Sequence, residues 1–129
     1  MQQSQSLIII GPSKKGGRGV FSTAFISKGT LIETCPVISM PKQARSKLDQ
    51  TMLHDYYFIW GEADQRCALV LGYGSLYNHD YQPNAEYEPD YQHDLLSFYA
   101  RQDIKAGEEI TVNYSGDPAG DMNLWFKTC

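Results

Sequence analysis

The chain has 129 residues, 42% of them hydrophobic, and a formal net charge of −4. That length fits one domain able to bury a core without covalent staples, and that composition excludes a disordered chain. The acidic balance argues against direct nucleic-acid binding, which usually leaves a basic patch, and it suits a basic peptide partner.

No apolar run approaches membrane-spanning length, and the polar start, residues 1–6, lacks a signal-peptide pattern. An intracellular protein without membrane attachment is the expectation. Cys35, Cys67 and Cys129 are odd in number and widely spaced, so neither a disulfide framework nor a metal site is expected.

In chain order, the β-branched run at 7–10 predicts a strand. Residues 11–19 hold four glycines, a proline and three basic residues, which predicts a flexible turn. Strands are predicted at 20–26 and 30–38, separated by Ser27-Lys28-Gly29, with Pro36 marking an edge position or a bend. Residues 42–53 carry the best helical composition, with Ala44, Leu48 and Met52 four apart on one face. An aromatic cluster at 56–60 precedes a polar turn at 61–65 and a buried strand at 67–71. A brief strand at 85–88, a turn at 89–94, a strand at 95–101 and another at 109–113 complete the pattern. Many short strands with close turns and one small helix predict a β-rich single domain with non-sequential strand pairing.

Three stretches could carry chemistry. The turn Gly16-Gly17-Arg18-Gly19 lets a ligand approach the backbone closely. A dinucleotide fingerprint would follow a strand and open a helix; here a strand-like run follows, and no Walker pattern is present, so a plain hairpin turn is the competing reading. Tyr77 to Asn84, Tyr-Asn-His-Asp-Tyr-Gln-Pro-Asn, gathers carboxamides and an imidazole around Pro83, which stiffens the backbone. By residue type it is an ordered polar loop or a surface turn. The third stretch, Gly107 to Tyr114, reads Gly-Glu-Glu-Ile-Thr-Val-Asn-Tyr. Here Tyr114 could be an ordinary half-buried strand residue and Glu108 and Glu109 turn and edge-strand acids. His54 and His93 carry no partner signal, and nothing around His79 supplies a metal-ligand set.

The order of the three stretches, over about residues 8–125, resembles the SET-domain protein lysine methyltransferases, in the compact stand-alone form found in viruses and bacteria. The resemblance implies a mainly β fold of several small sheets with a knot-like C-terminal crossing. One SET domain would span 1–129, its core about 8–115, with a closing segment at 116–129. It implies S-adenosylmethionine bound on one face and a substrate lysine entering from the other. On that basis Gly17, Arg18 and Gly19 offer backbone to the cofactor, and Asn78 and His79 contact its amino-acid and adenine portions. Tyr114 matches the catalytic tyrosine beside the transferred methyl. Tyr87 and Val112 match lysine-channel positions, Val112 where many members carry the aromatic residue that tunes methyl number.

Several positions depart from the family pattern. Asp80 replaces a small hydroxyl in Asn-His-Ser, and a tyrosine usual near Cys35 is absent, leaving Tyr56 or Tyr57 as channel substitutes. The zinc-binding cysteines that often follow the domain are missing. Trp125 and Phe126 could close the cofactor pocket instead, or cap the core or a homodimer interface. The implied partner is a lysine-containing protein or peptide, a histone tail among the candidates. A SET-fold module that holds peptide without turnover is the alternative.

Overall fold

The computed structural model describes residues 7–61 and 66–114, and among these it has nine strands, one helical turn and one 3₁₀ turn. The expected mainly β fold is found. Strands β1 (Ile8–Pro12) and β2 (Arg18–Ser22) form a hairpin in which Ile10 faces Val20 and Pro12 faces Arg18. Gly11, Pro12, Arg18 and Gly19 are therefore in the ladder, and the predicted flexible turn shrinks to 13–17. It closes through the Ser13 amide, which donates to the Gly17 carbonyl at 2.9 Å. Gly16 and Gly17, at φ of +105° and +64°, take the left-handed conformations the tight reversal requires.

Strand β9 (Glu109–Val112) lies beside β2, antiparallel, and on its other side pairs in parallel with the two-residue strand β6 (Asn78–His79). The first sheet thus runs β1-β2-β9-β6. The predicted strand at 20–26 ends at Ser22; Ile26 makes an isolated bridge to Ile104 instead.

The second sheet is built on β3 (Leu31–Pro41), the longest strand. Its first half pairs with β8 (Leu95–Ala100) and its second half with β5 (Arg66–Val70). Pro36 sits where one partner hands over to the other, so its missing N–H breaks no ladder on either side. The short β4 (Phe58–Trp60) flanks β5, and β7 (Ala85–Asp90) flanks β8. Strand β7 runs past its predicted end and includes Pro89, which an edge strand tolerates. Asp94, at φ +53°, completes the reversal into β8.

The helix predicted over 42–53 does not form as one element. Only α1 (Ala44–Leu48) is α-helical, no residue of it is buried, and Met52 is 76% exposed. The interruption is Thr51, which is extended at φ −125°. Its hydroxyl donates to the Leu48 carbonyl and accepts from the Leu53 amide at 3.0 Å. A new 3₁₀ turn, Met52–Asp55, starts there. So short a helix needs a packed face to persist, and on the face expected from Ala44, Leu48 and Met52 the first two are only half-buried and the third is exposed.

The two sheets meet over a core that includes Val20, Cys35, Leu96, Phe98, Ile104 and Ile110, all buried. Tyr77, immediately before β6, stacks on Phe98 of β8 with ring centroids 4.2 Å apart. This contact docks the start of the polar loop onto the second sheet. Cys35 and Cys67 are buried free thiols, and Cys129 lies outside the described residues. Among the described residues no helix is long and apolar enough to cross a membrane, and no cluster of ligating side chains could hold a metal ion.

Candidate active site

The parallel pairing of β6 with β9 sets Asn78 opposite Thr111 and His79 opposite Val112. Two segments more than thirty residues apart thereby deliver Asn78, His79 and Tyr114 to one place. The Tyr114 amide donates to Nδ1 of His79 at 3.0 Å, and their rings lie 5.2 Å apart, tilted by 43°. Because Nδ1 accepts, His79 is held as the tautomer with its proton on Nε2. Burial lowers the pKa of His79; the Lys15 charge adds to this and the Asp80 charge opposes it. Tyr81 stands edge-on to the same ring at 4.4 Å.

Both the backbone and the hydroxyl of Tyr114 are held. Besides its amide, its hydroxyl donates to the Tyr77 carbonyl, and its own carbonyl accepts the Tyr87 hydroxyl at 2.9 Å. Burial, and then the Tyr91 charge, push the Tyr87 hydroxyl up to about 12, so it remains a neutral donor at pH 7. Phe58 meets the Tyr87 ring edge-on at 5.8 Å.

The glycine turn joins the same constellation. Asn78 Nδ2 donates to the Arg18 carbonyl at 3.0 Å and to Glu109 Oε2 at 2.8 Å. Glu109 Oε1 accepts the Ser13 hydroxyl at 2.8 Å. A Cβ on Gly19 would run into the Glu109 carboxylate and lie 3.0 Å from Asn78 Nδ2, so glycine is what lets the three segments close. Gly17 instead faces open space, with nothing within 4 Å of a Cβ placed there. Lys15 reaches from the turn to Asp80 at 3.0 Å, and Asp80 Oδ1 accepts the Gln82 amide at 2.9 Å. The Asp80 carboxyl sits below its ordinary range, first because of the Gln82 amide and then, against the opposing effect of burial, because of the Lys15 side chain. Arg18 contributes its carbonyl here, while its residue as a whole is exposed.

Asn84 closes the polar stretch from below. Its Nδ2 donates to the Glu109 carbonyl at 2.8 Å and its Oδ1 accepts the Thr111 amide at 2.9 Å. A side chain thus stands in for a neighbouring strand on β9.

Gly19, Asn78, His79 and Tyr114 come together, with Tyr87 reaching Tyr114. Val112 is fully buried in the core beside His79. Tyr56 is half-buried at the end of the 3₁₀ turn, and Phe58, not singled out in the sequence, makes the ring contact with Tyr87. Tyr57 is buried with its hydroxyl on Asp49 at 2.8 Å. Trp125 and Phe126 lie outside the described residues. Glu108 is a turn acid as expected, accepting the Lys105 amide at 2.8 Å. Glu109 proves to be more than an edge-strand acid, since it ties Asn78 to Ser13. His54 and His93, without partners by sequence, pair with Asp49 and Asp90.

This constellation, built on the parallel β6–β9 pair at the edge of the first sheet, has known counterparts. The SET domain pattern matches residues 17–115, most of the chain. The chain belongs to the SET-domain family of protein-lysine methyltransferases.

A curated relative, the Schizosaccharomyces pombe "Histone-lysine N-methyltransferase, H3 lysine-37 specific", is 36% identical over 124 residues, covering 95% of this chain and 79% of that protein. A Plasmodium falciparum structure, assigned as a histone methyltransferase, superposes with a TM-score of 0.71 at 33% identity. That match covers 95% of this SET domain and 99% of the Plasmodium chain. A structure of the Chaetomium thermophilum Polycomb Repressive Complex 2 has a TM-score of 0.71 at 21% identity, over 86% of this chain and 15% of that one. At that identity it speaks for the fold alone.

Proposed function

We propose that this SET domain transfers methyl groups from S-adenosylmethionine to the ε-amine of a lysine in a basic protein segment such as a histone tail. The observation that carries the reading is the convergence of Asn78, His79 and Tyr114 across the β6–β9 pair, locked by the Tyr114 amide on His79 Nδ1. The S. pombe relative, by its name a histone-lysine methyltransferase, supports the substrate class.

The residues present suit the cofactor. Both N–H groups of the Asn78 carboxamide are engaged within the protein, so what it can still offer is an acceptor oxygen. With the Glu109 carboxylate beside it, the cluster is rich in acceptors, which favours a cationic amino-acid moiety. The open face of Gly17 lets a ligand approach the turn without meeting a side chain. When bound, S-adenosylmethionine supplies a methyl already activated by a sulfonium.

The protein's tasks are then to align the amine and to remove its proton. A free lysine titrates near about 10.4, so presenting it neutral at pH 7 costs roughly 4.6 kcal/mol. An aromatic lining, here Tyr87 and Tyr114 with Phe58 behind, desolvates the ammonium and lowers that cost. The Tyr114 hydroxyl donates its hydrogen bond to the Tyr77 carbonyl, so toward the reacting groups it can act only as an acceptor. That makes Tyr114 a positioning acceptor with no need of a strong dedicated base.

Calorimetric titration with S-adenosylmethionine tests the cofactor assignment. Wild type should bind, and Asn78→Ala should bind at least tenfold more weakly. Equal affinity in both would remove Asn78 from the site.

A further inference from the structure

Glu33 breaks the pattern of its strand. It shares the inward side of β3 with Cys35 and Val37, both buried, while Thr34 and Pro36 between them face solvent. An acid on an inward face is costly unless its oxygens find donors. Glu33 Oε1 accepts the Tyr77 hydroxyl at 2.7 Å, and Oε2 accepts the Tyr73 amide at 3.0 Å. The ladder between β3 and β8 slips between Leu31 and Glu33, and such irregularities re-aim side chains next to sites. Gly72, at φ +63°, completes the fit, since a Cβ there would lie 2.6 Å from Glu33 Oε2. The backbone from 72 to 77 therefore wraps around one carboxylate, and it ends at the carbonyl that receives the Tyr114 hydroxyl.

We propose that Glu33 is a positioning residue for methyl transfer: by holding the Tyr73 amide and the Tyr77 hydroxyl it aims the Tyr77 carbonyl, and through that carbonyl the hydroxyl of Tyr114. Glu33 does not touch the reacting groups. A local rule broken inside a strand is expected where function requires it. Burial, and next the Glu33 charge, push the Tyr77 hydroxyl well above its ordinary range, which keeps it a donor throughout the working range. The inference rests on the reading that Tyr114 places the reacting groups.

The test uses the full chain labelled with carbon-13 at the tyrosine ζ-carbon, the Tyr114 signal being assigned by its loss in Tyr114→Phe. Tyr77→Phe keeps the ring on Phe98 and keeps the carbonyl, removing only the hydroxyl that Glu33 holds. Glu33→Gln keeps reach and an acceptor, whereas Glu33→Ala keeps neither. In Tyr77→Phe and Glu33→Ala the Tyr114 signal should move while that of Tyr57, whose hydroxyl is held by Asp49, stays. Turnover should fall about tenfold with cofactor affinity within twofold, and Glu33→Gln should recover most of it. Should Glu33→Ala fail to fold, Tyr77→Phe decides alone. An unmoved Tyr114 signal, or full turnover with only a lower melting temperature, overturns the proposal. If the wild type transfers no methyl at all, the functional reading fails, and the Tyr114 signal still decides whether Glu33 aims it.

Discussion

The Tyr114 amide rests on Nδ1 of His79 at 3.0 Å, so the C-terminal end of β9 is held by an acceptor that exists only while the imidazole is neutral. Burial lowers the folded-state pKa of His79 below its ordinary value. The unfolded chain therefore binds more protons, and the stability this group contributes is complete above the unfolded value. It is lost as pH falls from there through the lowered folded value. Thermal melts from pH 7.5 down to 5 should show a drop in stability that His79→Gln, which cannot titrate, reduces. Parallel curves for the two proteins would contradict the assignment.

Tyr114→Phe removes one hydroxyl and leaves the amide and carbonyl contacts in place. Turnover should fall by about 10²-fold, which is about 2.7 kcal/mol of barrier. Cofactor affinity, read by calorimetry, should change by less than about threefold, under 1 kcal/mol. Equal losses in both would deny Tyr114 a role specific to the reaction.

Asn84→Ala should cost stability first. The residue is 6% exposed and its carboxamide satisfies one donor and one acceptor of β9. Losing both bonds should lower the unfolding free energy by about 2–4 kcal/mol in a denaturant titration. A change below about 0.5 kcal/mol would mean that β9 finds other partners.

Gly19→Ala and Gly16→Ala separate close approach from backbone strain. A methyl at Gly19 meets Glu109 and Asn78, whereas at Gly16 it meets nothing but the left-handed φ disfavours it. Gly16→Ala should cost about 1 kcal/mol of stability and leave cofactor affinity within twofold. Gly19→Ala should weaken cofactor binding more than tenfold. The reverse ranking would take Gly19 out of the cofactor site.

The Lys15–Asp80 pair joins the glycine turn to the polar loop at 3.0 Å, with both side chains 38% exposed. An ion pair that open to solvent contributes about 0–1 kcal/mol and is screened by salt. Lys15→Ala should lower stability by less than 1 kcal/mol at low ionic strength and by nothing measurable in molar salt. A larger, salt-independent loss would point to packing by the lysine stem.

What the sequence could show was set by how local each signal is. Asn78, His79 and Tyr114 were legible because their motifs are short and occur in a recognisable order. The strand that unites them was not, because Asn-His-Asp has poor strand propensity and β6 exists only through pairing with β9. Glu33 and Glu109 look like solvent acids when read along the chain. Their roles come from partners at Tyr73, Tyr77, Ser13 and Asn78, and an inward acid two residues from Cys35 was the one available hint. The helix over 42–53 was misread because its composition is favourable throughout. Thr51 offers its hydroxyl to the backbone on both sides, and the half-buried Ala44 and Leu48 do not outweigh it.

Methyl transfer is read by incubating the protein with isotope-labelled S-adenosylmethionine and basic lysine-containing peptides, histone tails among them, followed by mass spectrometry. The wild-type protein should place labelled methyl on a lysine, and Tyr114→Phe should label far less despite retained cofactor binding. Peptide binding with no methyl on any lysine would contradict methyl transfer and leave a binding module.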